Sequence, residues 1–172
     1  MTSLSASSHD KIFLTANGKT VTATLEQNEA TAHLLSLLNQ GPVTLSMREN
    51  GGFEKVGTLP ESLPTSDVRQ NAGPGDIMLY LGDVMCIFYG SNSWAYTRLG
   101  KIDNLNAAEI KDFLSGEPVS VVLSVDDSTF IEHVSTDSVK NKKIYDLTGN
   151  QVSPEFLKPG IYIVDGNKTF LK

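Results

Sequence analysis

Four side chains invite a chemical reading: Arg48 in PVTLSMREN, Phe53 just beyond it, and Trp94 and Tyr96 in GSNSWAYTR. Arg48 falls with Thr44 and Ser46 on the polar face of an alternating run. It is therefore either a solvated strand arginine, the commoner case, or a donor to a ligand. Trp94 and Tyr96 follow Gly90-Ser91-Asn92-Ser93, which reads as a loop. Aromatic rings on such a loop add contact area at low entropy cost and build binding walls, although Trp94 could equally cap the core. The chemistry these residues suggest is non-covalent recognition.

Groups that would do covalent or metal chemistry do not assemble. The histidines, His9, His33 and His133, are scattered, and His33 reads as a rim residue on a helix. Cys86 is the single cysteine and sits inside an apolar run, as a buried structural thiol does. Asp76 and Asp83 mark turns. Asp126 and Asp127, beside Ser128, end a strand, with no further ligand spaced to complete a metal set. No Ser-His-Asp or Cys-His arrangement is visible, and neither a metal nor a cofactor is expected.

The elements that must position these residues are mostly strands. The chain has 172 residues, enough for one domain of usual size plus an appendage, and 40% of them are hydrophobic. Lys and Arg number 14 against 20 Asp and Glu, a formal charge of −6 with no basic stripe, which argues against a nucleic-acid partner. No run approaches the roughly 20 apolar residues of a membrane span.

KIFLTANGKTVTATLEQ predicts a hairpin turning at Asn17-Gly18. NEATAHLLSLLNQGP predicts a helix capped by Asn28, with a stripe of Ala30, Leu34, Leu37 and Leu38, stopped at Gly41-Pro42. PVTLSMREN and FEKVGTL follow as strands around Asn50-Gly51-Gly52. Pro60 to Gly75 reads as one long loop. Ile77–Leu81 and Val84–Tyr89 are two apolar strands about Gly82-Asp83; greasy on both faces, each needs one face on a core and the other covered or offered to a ligand. TRLGKI is a short strand. NAAEIKDFLSG is a second helix, with Asn106 and Glu109 as a capping box and Ile110, Phe113 and Leu114 as its stripe. PVSVVLSV is the last strand. Eight strands in this order suit a closed barrel filled by its own side chains, with a helix plugging each end.

That order, carried by TATLEQNEATAHLLSLL, MRENGGFEKVGTLP, AGPGDIMLYLGD, IFYG and LGKI, resembles the cyclophilin-like superfamily over Lys11 to Val125, and its compact bacterial and archaeal branch most closely. The resemblance implies a mostly β fold, a closed eight-stranded barrel capped by two helices, in a domain of residues 11–126. It also implies prolyl isomerisation as an activity to weigh, in which an arginine donating to the prolyl nitrogen beside an apolar pocket favours the twisted amide. True isomerases follow that arginine with Phe and Gln, then further Gln, Phe, Trp and His contacts. Here Arg48 and Phe53 alone have counterparts. The expectation is therefore a binding module for a peptide or glycan, along a wall of Arg48, Phe53, Trp94 and Tyr96, with isomerase activity as the alternative and Arg48 as its catalytic residue. Oligomeric state is not readable.

From Ser138 the character changes to three β runs, KKIYDL, GIYIVD and KTFLK, with turns at Thr148-Gly149-Asn150, Pro159-Gly160 and Asp165-Gly166-Asn167. Tyr145, Asp146, Leu147, Gly149, Val152 and Gly160 to Val164 resemble the sorting tail of type IX secretion cargo, which implies a small C-terminal β module at residues 138–172. The start, MTSLSASSHD, lacks the apolar run of a signal peptide. The tail then predicts an exported protein, secreted or at the cell surface, whose signal is missing from this sequence; the alternative is a cytoplasmic one.

Overall fold

The computed structural model describes residues 10–125, 132–134, 143–153, 157–158 and 160–171. The chain divides into two compact units, residues 1–126 and 127–172. The candidate side chains Asp126, Asp127, His9 and His133, and the turn residue Pro159, lie outside what is described.

In the first unit, β1 (Lys11–Ala16) and β2 (Lys19–Leu25) form the expected hairpin, with Asn17 and Gly18 at φ 50° and 72°. Both values fit a two-residue turn that needs positive φ twice. Helix α1 (Glu29–Asn39) starts at Asn28, whose side chain accepts from Thr31 N at 2.9 Å while its amide donates to Arg98 O at 2.8 Å. There follow β3 (Val43–Asn50), β4 (Glu54–Thr58), β5 (Val68–Ala72), β6 (Asp76–Tyr80), β7 (Val84–Phe88) and β8 (Asn92–Ile102). Helix α2 (Ala107–Phe113), with its Asn106–Glu109 capping box, and β9 (Val119–Ser124) complete the unit.

The strands run β2-β1-β9-β3-β4-β7-β6-β8, and β8 returns to pair with β2. Eight antiparallel strands therefore close a barrel. Alternate residues fill it: Ile12 and Leu14, Leu45 and Met47, Ile77 and Leu79, Met85 and Ile87, Val121 and Leu123 are all buried in one cluster. The helices close opposite ends and add Leu34, Leu38, Ile110 and Phe113 to that cluster. At the α2 end, Asn17 Nδ2 donates to Phe113 O at 3.0 Å and Ser115 O at 2.9 Å.

Three expectations need correction. The segment Pro60–Gly75 is not one loop, because it contains β5. The segment GSNSWAYTR is not a loop either, because Trp94 and Tyr96 lie on β8. These first two differences have one cause. β8 has 11 residues against five in β6, so its first half, Asn92–Tyr96, overhangs the barrel and pairs with β5 instead. The polar sequence VRQNA carries no strand periodicity; only its partner makes it a strand. The first apolar strand also ends earlier than expected: Leu81 leaves the ladder into the turn at φ 52° and is exposed.

In the second unit, β10 (Glu132–Val134), β11 (Ile144–Tyr145), β12 (Gly160–Val164) and β13 (Asn167–Leu171) form a sheet of order β10-β13-β12-β11. The last three fall in the three expected β runs. Ile144 and Val164 are buried at its centre. Asp146 Oδ1 accepts from Thr148 N and Asn150 N, each at 2.9 Å, and so organises the turn after β11.

Candidate functional site

β6 and β7 bury both faces. Ile77, Leu79, Met85 and Ile87 point into the barrel, whereas Met78, Cys86 and Phe88 point outward into a second apolar cluster with Ala72 and Tyr96. This outer cluster is what the near-continuous apolar runs require. Phe53 stacks on Phe88 with ring centroids 6.1 Å apart, and Tyr96 meets Phe88 edge-on at 5.7 Å and Tyr80 at 6.3 Å. The overhanging half of β8 carries Asn92, Trp94 and Tyr96 on alternate positions of one face.

Between these elements lies a cavity of about 340 Å³. Phe53, Val56, Tyr80, Val84, Cys86, Trp94 and Tyr96 form its apolar lining, and Asn50, Glu54 and Asn92 its polar one. Its volume and its few polar groups fit a small-ligand site. Trp94 is 52% exposed on its wall and Tyr96 is buried at its floor, so Trp94 does not cap the barrel core. Cys86 is buried, as its apolar neighbours in sequence imply.

Glu54 is the residue that sequence reasoning missed. It faces Asn50 on β3 and Phe88 on β7 in register, and it is 3% exposed. Asn50 Nδ2 donates to its Oε1 at 2.6 Å. Its Oε2 is buried and has no hydrogen-bond partner among the described residues. Burial pushes the Glu54 pKa up from the ordinary carboxylate value, and the nearby Glu49 charge adds to the rise, while the Asn50 hydrogen bond and the Cys86 thiol pull it back. Burial likewise pushes up the Cys86 thiol, with Glu54 adding to it, and the Tyr96 phenol. Such a thiol is inert. No sequence motif marks Glu54: in FEKVGTL it alternates with Lys55 like any half-exposed strand residue. Only the second cluster outside the barrel buries it.

Of the expected wall, the structure brings Phe53, Trp94 and Tyr96 to one cavity and leaves Arg48 out of its lining. Arg48 is exposed on β3, directly opposite Val56 and so on the same face of the sheet, beside the rim. Arg98 is occupied: its guanidinium meets Asp76 Oδ1 at 3.0 Å, Gln70 Oε1 at 3.1 Å and Asn71 O at 3.2 Å, tying β5 and β6 to β8. Asp76 is thus more than a turn former. His33 is a partly exposed helix residue 2.9 Å from Glu61.

A second cavity, of about 450 Å³, opens beside α2. Glu49, Lys55 and Tyr89 in its lining are already engaged with one another or with nearby backbone. Lys55 Nζ donates to Gly116 O at 2.8 Å and Glu117 Oε2 at 2.9 Å, and the Tyr89 hydroxyl donates to Glu49. Burial and that Glu49 contact push the Tyr89 pKa up to about 12. A closed network offers a ligand little, and the outer-wall cavity is the stronger candidate.

A profile of the cyclophilin-like family matches residues 14–125, from within β1 through the end of β9. The chain belongs to the cyclophilin-like family. Among curated proteins, none matches the sequence. Of solved structures, McbB in complex with tryptophan aligns at 10% identity and TM-score 0.49, over 70% of this chain and 46% of its own, so this chain spans about half of McbB. The hypothetical protein AF2241 from Archaeoglobus fulgidus aligns at 17% identity and TM-score 0.47, over 67% of this chain and 94% of its own.

Proposed function

We propose that this cyclophilin-like domain is a binding module that holds one apolar group of an extended peptide or glycan ligand in the outer-wall cavity, without turning it over. The observation that carries this reading is the cavity itself: Phe53, Tyr80, Trp94 and Tyr96 surround about 340 Å³, and among the described residues no arginine, lysine or histidine lines it. Phe53, Tyr80 and Tyr96 are already packed in ring contacts, so a ligand pays little to order them.

Peptidyl-prolyl isomerase is the competing reading, and the position of Arg48 opposite Val56 favours it. The amide barrier is about 18–20 kcal/mol, and one well-placed donor typically supplies roughly 3 kcal/mol. That help requires a donor fixed on the prolyl nitrogen, and a misplacement of about 1 Å can cost ~100-fold. Arg48, exposed and outside the cavity lining, has no such anchor. Exchange NMR on a short X-Pro peptide at catalytic protein concentration should show no added cis/trans exchange. Robust exchange that disappears in Arg48→Ala would promote the isomerase reading over the binding one.

The C-terminal unit is proposed as an export tail. Support comes from the order Tyr145-Asp146-Leu147, Gly149, Val152, then Gly160 to Val164, and from the Asp146 turn that gives the first of these motifs a fixed shape. On this reading the protein works outside the cytoplasm.

A further inference from the structure

We propose that the outer-wall cavity is a site for an ammonium group carried on an apolar stem, received by the free oxygen of Glu54. The inference rests on the binding reading above and names the ligand chemistry. Two independent observations point to it. The first is the orphaned acceptor: Glu54 is 3% exposed, it lines the cavity, and its Oε2 has no hydrogen-bond partner among the described residues, the weakly donating Cys86 thiol being the group beside the carboxyl. A buried polar atom left unmade costs about 1–3 kcal/mol, and a ligand N–H would relieve that cost. The second is the wall. Phe53, Tyr80, Trp94 and Tyr96 present rings, whose faces attract cations, and Glu54 is the one carboxyl among the described residues of the lining.

A neutral donor could also satisfy Oε2. Charge complementarity favours the cation, since the chain's formal charge is −6 and no positive side chain among the described lining residues competes for Glu54. The groups that face Glu54 from its neighbours are Asn50 and Glu49 from β3, Cys86 and Phe88 from β7, Tyr89 just after it, and Tyr96 from β8. Burial, with the Glu49 charge adding to it, disfavours the Glu54 anion by more than Asn50 and the Cys86 thiol favour it, so the empty site holds its proton more tightly than a solvated glutamate does. An arriving ammonium reverses this: the carboxyl releases its proton to solvent and the ion pair forms. Affinity should therefore rise with pH until Glu54 is fully ionised.

Trp94, the single tryptophan, lies on the cavity wall and reports occupancy by its fluorescence. The full chain is titrated at pH 8 with 2-phenylethylamine, with Nα-acetyl-lysine amide, and with the uncharged probes 2-phenylethanol and ethylbenzene. One of the amines should bind roughly tenfold to a hundredfold more tightly than both uncharged probes, the worth of a hydrogen bond to a charged group. Preference for the lysine derivative would identify a peptide-borne ammonium, and preference for phenylethylamine a free amine. Glu54→Gln keeps the shape of the side chain; it should abolish the preference and its pH dependence while ethylbenzene binds as before. Equal binding of charged and uncharged probes would overturn the ammonium inference and leave the cavity reading standing. A Trp94 signal unmoved by every probe would overturn both.

Discussion

The Glu54 carboxyl sits between Asn50 and Phe88 on the outer wall of the barrel, where ionisation means placing a charge among aromatic rings. Its pKa in the fold lies above the ordinary value of 4.5. A group of this kind contributes stability that is fully present below its unfolded pKa and is lost as pH rises through its folded one. Asp103 behaves oppositely: against the burial that raises it, hydrogen bonds from Thr24, Thr22 and Lys11 lower its pKa, so its contribution is lost in acid. Glu117 and Asp146 are also lowered, by hydrogen bonds from Lys55 and Thr148 respectively. These three titrate alike in the wild type and in Glu54→Gln, and they cancel in a difference. We expect the stability of the wild type minus that of Glu54→Gln to fall as pH rises above 4.5 and to level off once Glu54 is ionised in the fold, as measured by urea unfolding at matched pH. A flat difference would mean that Glu54 is better solvated than its burial implies.

Barrel closure depends on one element pair, β2 with β8, and there on one residue. Gly100 faces Leu25 in the ladder, and a Cβ at Gly100 would collide with the carbonyl oxygen of Thr24 and lie 3.0 Å from the Cα of Leu25. Both obstacles are backbone, so no side chain can swing aside. Gly100→Ala should destabilise the barrel by about 3 kcal/mol or more through overpacking, read as a lower urea midpoint. Because the same strand carries Trp94 and Tyr96 at its other end, the Trp94 emission should shift as well. A midpoint within error of the wild type would show that the β2–β8 seam is looser than its hydrogen-bonded register suggests.

At the scale of the molecule, the two compact units each have their own apolar centre. The barrel's core is complete by β9, which pairs with both β1 and β3. A chain ending at residue 126 should therefore keep a single cooperative melting transition and the native emission of Trp94. Expressed in a host with type IX secretion and supplied with a signal peptide, it should stay cell-associated while the full chain is exported. Loss of cooperativity on truncation would show that the tail completes the barrel core, and equal export of both chains would remove the sorting role.

What the sequence determined by itself is the set of features written in local periodicity. The Asn17-Gly18 turn, the Asn28 and Asn106 caps, the alternation of PVTLSMREN and the doubly apolar runs around Cys86 each follow from neighbours a few residues apart, where turn and capping chemistry act. Together with their order they were enough for an eight-stranded barrel with two helical plugs. What only the tertiary structure decided depends on pairing across the chain. VRQNA became β5 because the overhang of β8 needed a partner, and Trp94 and Tyr96 became strand residues by the same contact. Arg48 and Glu54 sit on neighbouring strands of polar-looking sequence, yet one stayed in solvent and the other went under an aromatic cluster. Burial belongs to the place where distant strands meet, and the buried Glu54 is legible only after the barrel has closed and its outer wall has been covered.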